Sequence, residues 1–161
     1  MARRLFAAAL ALAAPAATAQ QPAPPAVTSP TEAMRWLIGE WRGSGTMFGR
    51  PSEATLSVRP ALGGRFLEFS YRAGGFEGRA FYGPNPSGGW RAQWFDNRGV
   101  TFPIVAQTIE RSLISNWGSA DTEEGRTVYH LRQDGRLSVT DSVRRDGAYQ
   151  DFATHVLEKA G

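Results

Sequence analysis

The chain has 161 residues, a formal net charge of +3 and no cysteine, so disulfides, thiol chemistry and cysteine metal sites are excluded. Its 17.5 kDa, 42% of it hydrophobic residues, is enough for one domain with a full core. With two histidines and no clustered carboxylates, a classical zinc site lacks its usual donors, and arginines scattered singly make no basic patch for nucleic acid.

The first nineteen residues read as a signal peptide. Arg3 and Arg4 form a positive n-region, Leu5 to Ala14 an apolar h-region, and Ala17-Thr18-Ala19 a small-residue cleavage site ahead of Gln20. The apolar run is too short for a permanent membrane helix, so the mature chain is expected in a periplasm or outside the cell, without an integral membrane segment. Removing Arg3 and Arg4 takes the formal charge from +3 to +1. Arg3-Arg4-Leu5-Phe6 also resembles the core of a twin-arginine export signal. Residues 20–30, with Pro22, Pro24, Pro25 and Pro30, read as an extended linker, leaving 31–161 as the folded domain.

Ser29-Pro30-Thr31-Glu32 has the form of a capping box with proline at the first helical position, and Met34, Trp36 and Leu37 follow at helical spacing. One short helix over about 30–38 is predicted, with Met34 and Leu37 plugging one end of whatever follows. From Gly39 onward the period falls to two, with turn residues every eight to twelve positions. Gly39 allows the turn, Trp41 fills a floor, and Gly43 and Gly45 let the first strand coil. In the second strand Ala54, Leu56 and Val58 share a face, and in the third Leu67, Phe69 and Tyr71 do so. Later strands are expected over about 77–82, 90–97, 101–107, 111–117, 126–133, 136–145 and 148–159. Pro103 marks an edge or bulge, and Asp134-Gly135 is the strongest two-residue hairpin signal. Ten strands joined by hairpin-length connections after one short helix predict an all-β, antiparallel up-and-down barrel, wide enough for one small ligand.

Gly39-Glu40-Trp41 behind a short helix resembles the opening of the calycins, the lipocalins and fatty-acid-binding proteins. With Gly43 and Gly45, Gly63-Gly64-Arg65-Phe66 and Trp94-Phe95-Asp96, the chain looks most like bacterial lipocalin-like domains of unknown function. The opening also resembles nitrobindin-type haem barrels, which ligate haem through a histidine near the last strand. The first resemblance implies a ten-stranded barrel with an internal pocket and no established reaction. It also implies a basic side chain from the last strand over the opening tryptophan. Lys159, the single lysine, is the natural match, with Arg144 a weaker one.

Phe69, Tyr71, Trp90, Trp94 and Trp117 are candidates to line a cavity for a hydrophobic or amphipathic molecule; the plainer alternative is that they fill the barrel. Asp141 shares parity with Leu137, Val139 and Val143 and should point inward, either paired with Arg72 or Arg79 or placed at a pocket mouth. An Asp141–arginine pair would also be the place to look for acid–base chemistry, although no hydrolase nucleophile elbow is present and no catalytic residue is assigned. His155 reads as a rim histidine or, under the second resemblance, as an axial haem ligand, and His130 as outward-facing. The expectation is an exported, non-enzymatic binding barrel with no required cofactor, haem being the alternative.

Overall fold

The computed structural model describes residues 29–161, so the signal peptide and nearly all of the linker lie outside the described residues. One short helix, α1 (Pro30–Ala33), precedes ten strands: β1 (Gly39–Met47), β2 (Arg50–Ala61), β3 (Phe66–Ala73), β4 (Phe76–Pro84), β5 (Trp90–Asp96), β6 (Thr101–Ile109), β7 (Ser112–Trp117), β8 (Gly125–Leu131), β9 (Leu137–Arg145) and β10 (Ala148–Lys159). Each strand pairs antiparallel with its neighbours in sequence, and β1 pairs with β10 from Trp41↔Lys159 to Met47↔Ala153, which closes the cylinder. The fold is therefore the predicted ten-stranded antiparallel barrel, consistent with a lipocalin-like fold.

Closure depends on two residues without a Cβ. A side chain at Gly43 would run into the Val156 carbonyl of β10, and one at Gly45 into the Thr154 carbonyl. The backbones of β1 and β10 thus approach more closely than any larger residue allows, and β1 can bend across the seam.

The helix is shorter than the sequence pattern suggests. After Ala33 the chain tightens into three-residue turns, with Leu37 N–H donating to the Met34 carbonyl at 2.9 Å and Ile38 N–H to that of Arg35 at 3.2 Å. That spacing eclipses residues three apart, so Met34 and Leu37 stack on one face and are both fully buried. The capping box does not form. The Ser29 and Thr31 hydroxyls instead donate to the Gly64 carbonyl, at 3.3 and 2.9 Å, and tether the helix to the turn between β2 and β3. Gly39, at φ +138°, turns the chain into β1, and the indole N–H of Trp41 donates to the Leu37 carbonyl at 2.8 Å. Lys159 lies directly opposite, its ammonium 5.4 Å from the Trp41 ring centroid, as the lipocalin resemblance implies.

Two local assignments, one hairpin turn and one edge or bulge, need correction. Asp134-Gly135 is not a two-residue hairpin: Gly135 N–H donates to the Arg132 carbonyl at 3.1 Å, and the Asp134 carboxylate accepts from the Arg136 backbone N–H at 3.1 Å. The aspartate side chain makes its own turn and lengthens the loop. Pro103 lies in a closed barrel without an edge, but one residue beyond the last β6–β7 pair, Ile104↔Trp117, so it interrupts no ladder with β7.

Inward positions of β2, β3, β7 and β9 alternate as predicted, with Leu56, Val58, Leu67, Phe69, Leu113 and Leu137 fully buried. Outward positions carry ion pairs, among them Glu68 between Arg59 and Arg79 at 3.8 and 3.5 Å, and Arg72–Glu77 at 3.0 Å. No helix among the described residues is long and apolar enough to cross a membrane. The two ends of the cylinder differ: α1 packs at one, and the β1–β2, β3–β4, β5–β6, β7–β8 and β9–β10 connections gather at the other.

Candidate functional site

At the hairpin end the barrel encloses a cavity of about 260 Å³. Its mouth is aromatic, built from three ring pairs whose centroids lie 5.2 Å (Phe48–Phe152), 6.0 Å (Phe76–Trp94) and 5.3 Å (Phe102–Trp117) apart. Two glycines seat the indoles. A Cβ at Gly78 would strike the ring of Trp94 and one at Gly125 that of Trp117, so both tryptophans lie flat against neighbouring strands and leave the lumen free. Charged groups near the mouth are matched. Arg98 pairs with Asp96 at 2.7 Å and covers the Phe76 ring at 5.4 Å, and Arg145 pairs with Glu123 at 3.2 Å.

Below the aromatic mouth the lining becomes polar, where Tyr71, Tyr82, Thr127, Tyr129 and Asp141 converge from β3, β4, β8 and β9. The Thr127 hydroxyl donates to Asp141 Oδ1 at 2.6 Å. Burial raises the Asp141 carboxyl from 3.8 to about 6, and the Thr127 bond only partly opposes this. The phenols of Tyr71, Tyr82 and Tyr129 are raised well above their ordinary range, first by burial, with the nearby Asp141 charge adding to it and, for Tyr129, the neighbouring Tyr82 as well, so all three remain neutral hydroxyls. Tyr82 is further held by the Ser115 hydroxyl at 3.0 Å. At neutral pH the site therefore holds one ionised carboxylate among hydroxyls and aromatic faces.

Of the residues singled out in the sequence, Tyr71, Trp94, Trp117 and Asp141 line this cavity. Phe69 and Trp90 do not. Phe69 lies beneath, its ring 4.4 Å from that of Tyr82, and Trp90 is buried against β6 with its indole N–H donating to Thr108 at 2.7 Å. Neither proposed arginine pairs with Asp141, because Arg72 and Arg79 point outward to Glu77 and Glu68. Asp141 lies inside the cavity, below the mouth rather than at it, and it forms no pair with Arg72 or Arg79, the pairing behind an acid–base reading.

His155 is fully buried, not at the rim. A register shift between Asp151 and Ala153 moves β10 by one residue, so Ala153, His155 and Leu157 face inward while Tyr149 and Asp151 face out. Its Nδ1 bonds the Tyr71 hydroxyl at 3.0 Å, and its Nε2 is enclosed without a partner. Burial lowers its pKa and favours the neutral ring. Because the ring is walled off from the cavity lining and tied to Tyr71, the residues around it do not fit a haem ligated there. His130 faces outward, bonded to Ser112 at 2.9 Å. Among the described residues, no three His, Cys, Asp or Glu side chains gather in a way that could hold a metal ion.

Phe48, Phe76, Phe102, Thr127 and Tyr129 were not among the sequence candidates. Of these, Phe102 and Thr127 sit at alternating inward positions, while Phe48 stands at the tip of the β1–β2 turn with φ +50° and 73% exposure. A bulky residue in that left-handed conformation is a visible outlier. No family model matches the sequence, and no curated protein matches it as a relative.

Proposed function

We propose that this chain is an exported binding barrel that holds a small hydrophobic or amphipathic molecule without transforming it. The observation that carries this reading is the 260 Å³ cavity, with aromatic rings at its mouth and a few convergent polar groups beneath. Apolar walls with sparse, fixed polar contacts are the usual make-up of small-molecule sites, and the volume falls just below the ~300–1,000 Å³ typical of drug-sized ligands. Export rests on Arg3-Arg4, the apolar run to Ala14 and Ala17-Thr18-Ala19. Membership of the lipocalin-like group draws on the Gly39–Trp41 opening, the Lys159–Trp41 contact and the closed ten-strand topology.

Native mass spectrometry of the protein recovered from the periplasm tests both halves. A chain beginning at Gln20 and carrying a small adduct that is released on unfolding is expected. A chain that keeps residues 1–19, or one free of any adduct across growth conditions, refutes the reading.

A further inference from the structure

Resting on the carrier reading above, we infer that the ligand is a small cationic amphiphile, an aromatic or alkyl amine whose ammonium group pairs with Asp141 while its apolar body lies between Trp94 and Trp117.

The inference starts from an unmet charge. Asp141 points into the lumen, Oδ1 accepts one hydroxyl bond from Thr127, and no salt bridge reaches it among the described residues. Asp141 is only half-buried and lines the cavity, and among the described residues its one side-chain hydrogen bond is at Oδ1, which leaves Oδ2 for whatever occupies the cavity. A carboxylate enclosed in a barrel without a cation is unfavourable unless something else supplies the opposite charge. Among the described residues the protein's own cations do not. Arg98 and Arg145, the two that border the cavity, are committed to Asp96 and Glu123 near the mouth. His155 is biased towards its neutral form and faces Tyr71.

The rest of the lining favours the same ligand. Trp94, Trp117 and Phe102 border the route to Asp141, and aromatic rings attract cations to their faces. Tyr71, Tyr82 and Tyr129 offer neutral hydroxyls that can accept from an ammonium group. An anionic ligand would meet Asp141 with no basic group beside it. A neutral one would leave the carboxylate as it is, half-buried and without a counter-ion.

Isothermal titration with three probes that share a phenylethyl body and differ in the head group tests this at about pH 7.5: 2-phenylethylamine, 2-phenylethanol and 3-phenylpropanoate. The amine is expected to bind at least ~10-fold more tightly than the alcohol, with the carboxylate weakest. In Asp141→Asn the ratio of amine to alcohol affinity should fall to about twofold or less. The ranking among probes is read on the unaltered protein, so it stands even if the variant misfolds. Equal affinity for amine and alcohol, preference for the anion, or an amine preference that survives Asp141→Asn overturns the inference. A native adduct that proves neutral or anionic overturns it while leaving the carrier reading intact. Absence of any adduct across growth conditions removes both, and failure of the amine to bind overturns the inference alone.

Discussion

Replacing Asp141 by Asn should stabilise the ligand-free barrel at neutral pH and leave its stability unchanged near pH 4. Burial raises the carboxyl from 3.8 to about 6, and each unit is about 1.4 kcal/mol of differential interaction, so ionisation costs the folded state about 3 kcal/mol. The sign follows from proton counting. Between about pH 4 and 6 the folded protein holds a proton that the unfolded chain has released, so stability falls as pH rises through this window and levels off above it. Asn keeps the shape and an acceptor for Thr127, and the value of about 6 already includes the Thr127 bond, so the full difference of about 3 kcal/mol is the expected gain. For a domain of this size that is a rise in Tm of roughly 9 °C. Paired thermal melts of the two proteins from pH 4 to 8 measure it. His155, the three cavity tyrosines, Arg98, Arg145 and Glu123 are common to both proteins, so the difference curve isolates the one carboxyl. A Tm gain of equal size at both ends of the range, or a loss at neutral pH, would refute the argument that Asp141 is a half-buried charge without a counter-ion.

Tyr71→Phe should lower stability by about 1–3 kcal/mol in urea denaturation, because it strips the partner from His155 Nδ1 and leaves both ring nitrogens buried and unbonded. Adding His155→Leu to that variant should recover part of the loss, whereas strict additivity of the two substitutions would show that the Tyr71–His155 bond is not what couples them. Lys159→Met keeps the aliphatic stem across Gly39 but removes the charge over Trp41, and should cost about 0.5–1 kcal/mol; an unchanged urea midpoint would rule out a cation lock at the barrel floor.

Fold and cavity were unequally legible. Period-two alternation assigned a face to Leu56, Phe69, Tyr71 and Asp141, and the turn residues counted ten strands, because both signals are local. Height along the barrel axis is not local. Phe69 and Trp90 were rightly placed inside, yet they belong to the packed half near α1, while Trp94, four residues after Trp90, reaches the open half. His155 was obscured by the register shift at Asp151–Ala153, since one extra residue reverses the parity of all that precedes it. The partner of Asp141 escaped for a related reason: Thr127 lies opposite it on β8, and cross-strand register emerges only when the hairpins are built. The capping-box pattern at Ser29 failed because Gly64, 35 residues away, competes for its hydroxyl.

The seam between β1 and β10 joins residues more than a hundred positions apart, from Trp41↔Lys159 to Met47↔Ala153. Such a joint cannot form while a nascent chain is still short of its tenth strand, so until then the growing sheet presents two unsatisfied margins to its surroundings. Completion of the cylinder is therefore a late, all-at-once event. A frameshift that removes only the final dozen residues of the sheet would leave the aromatic vestibule assembled in part but standing ajar along its whole length.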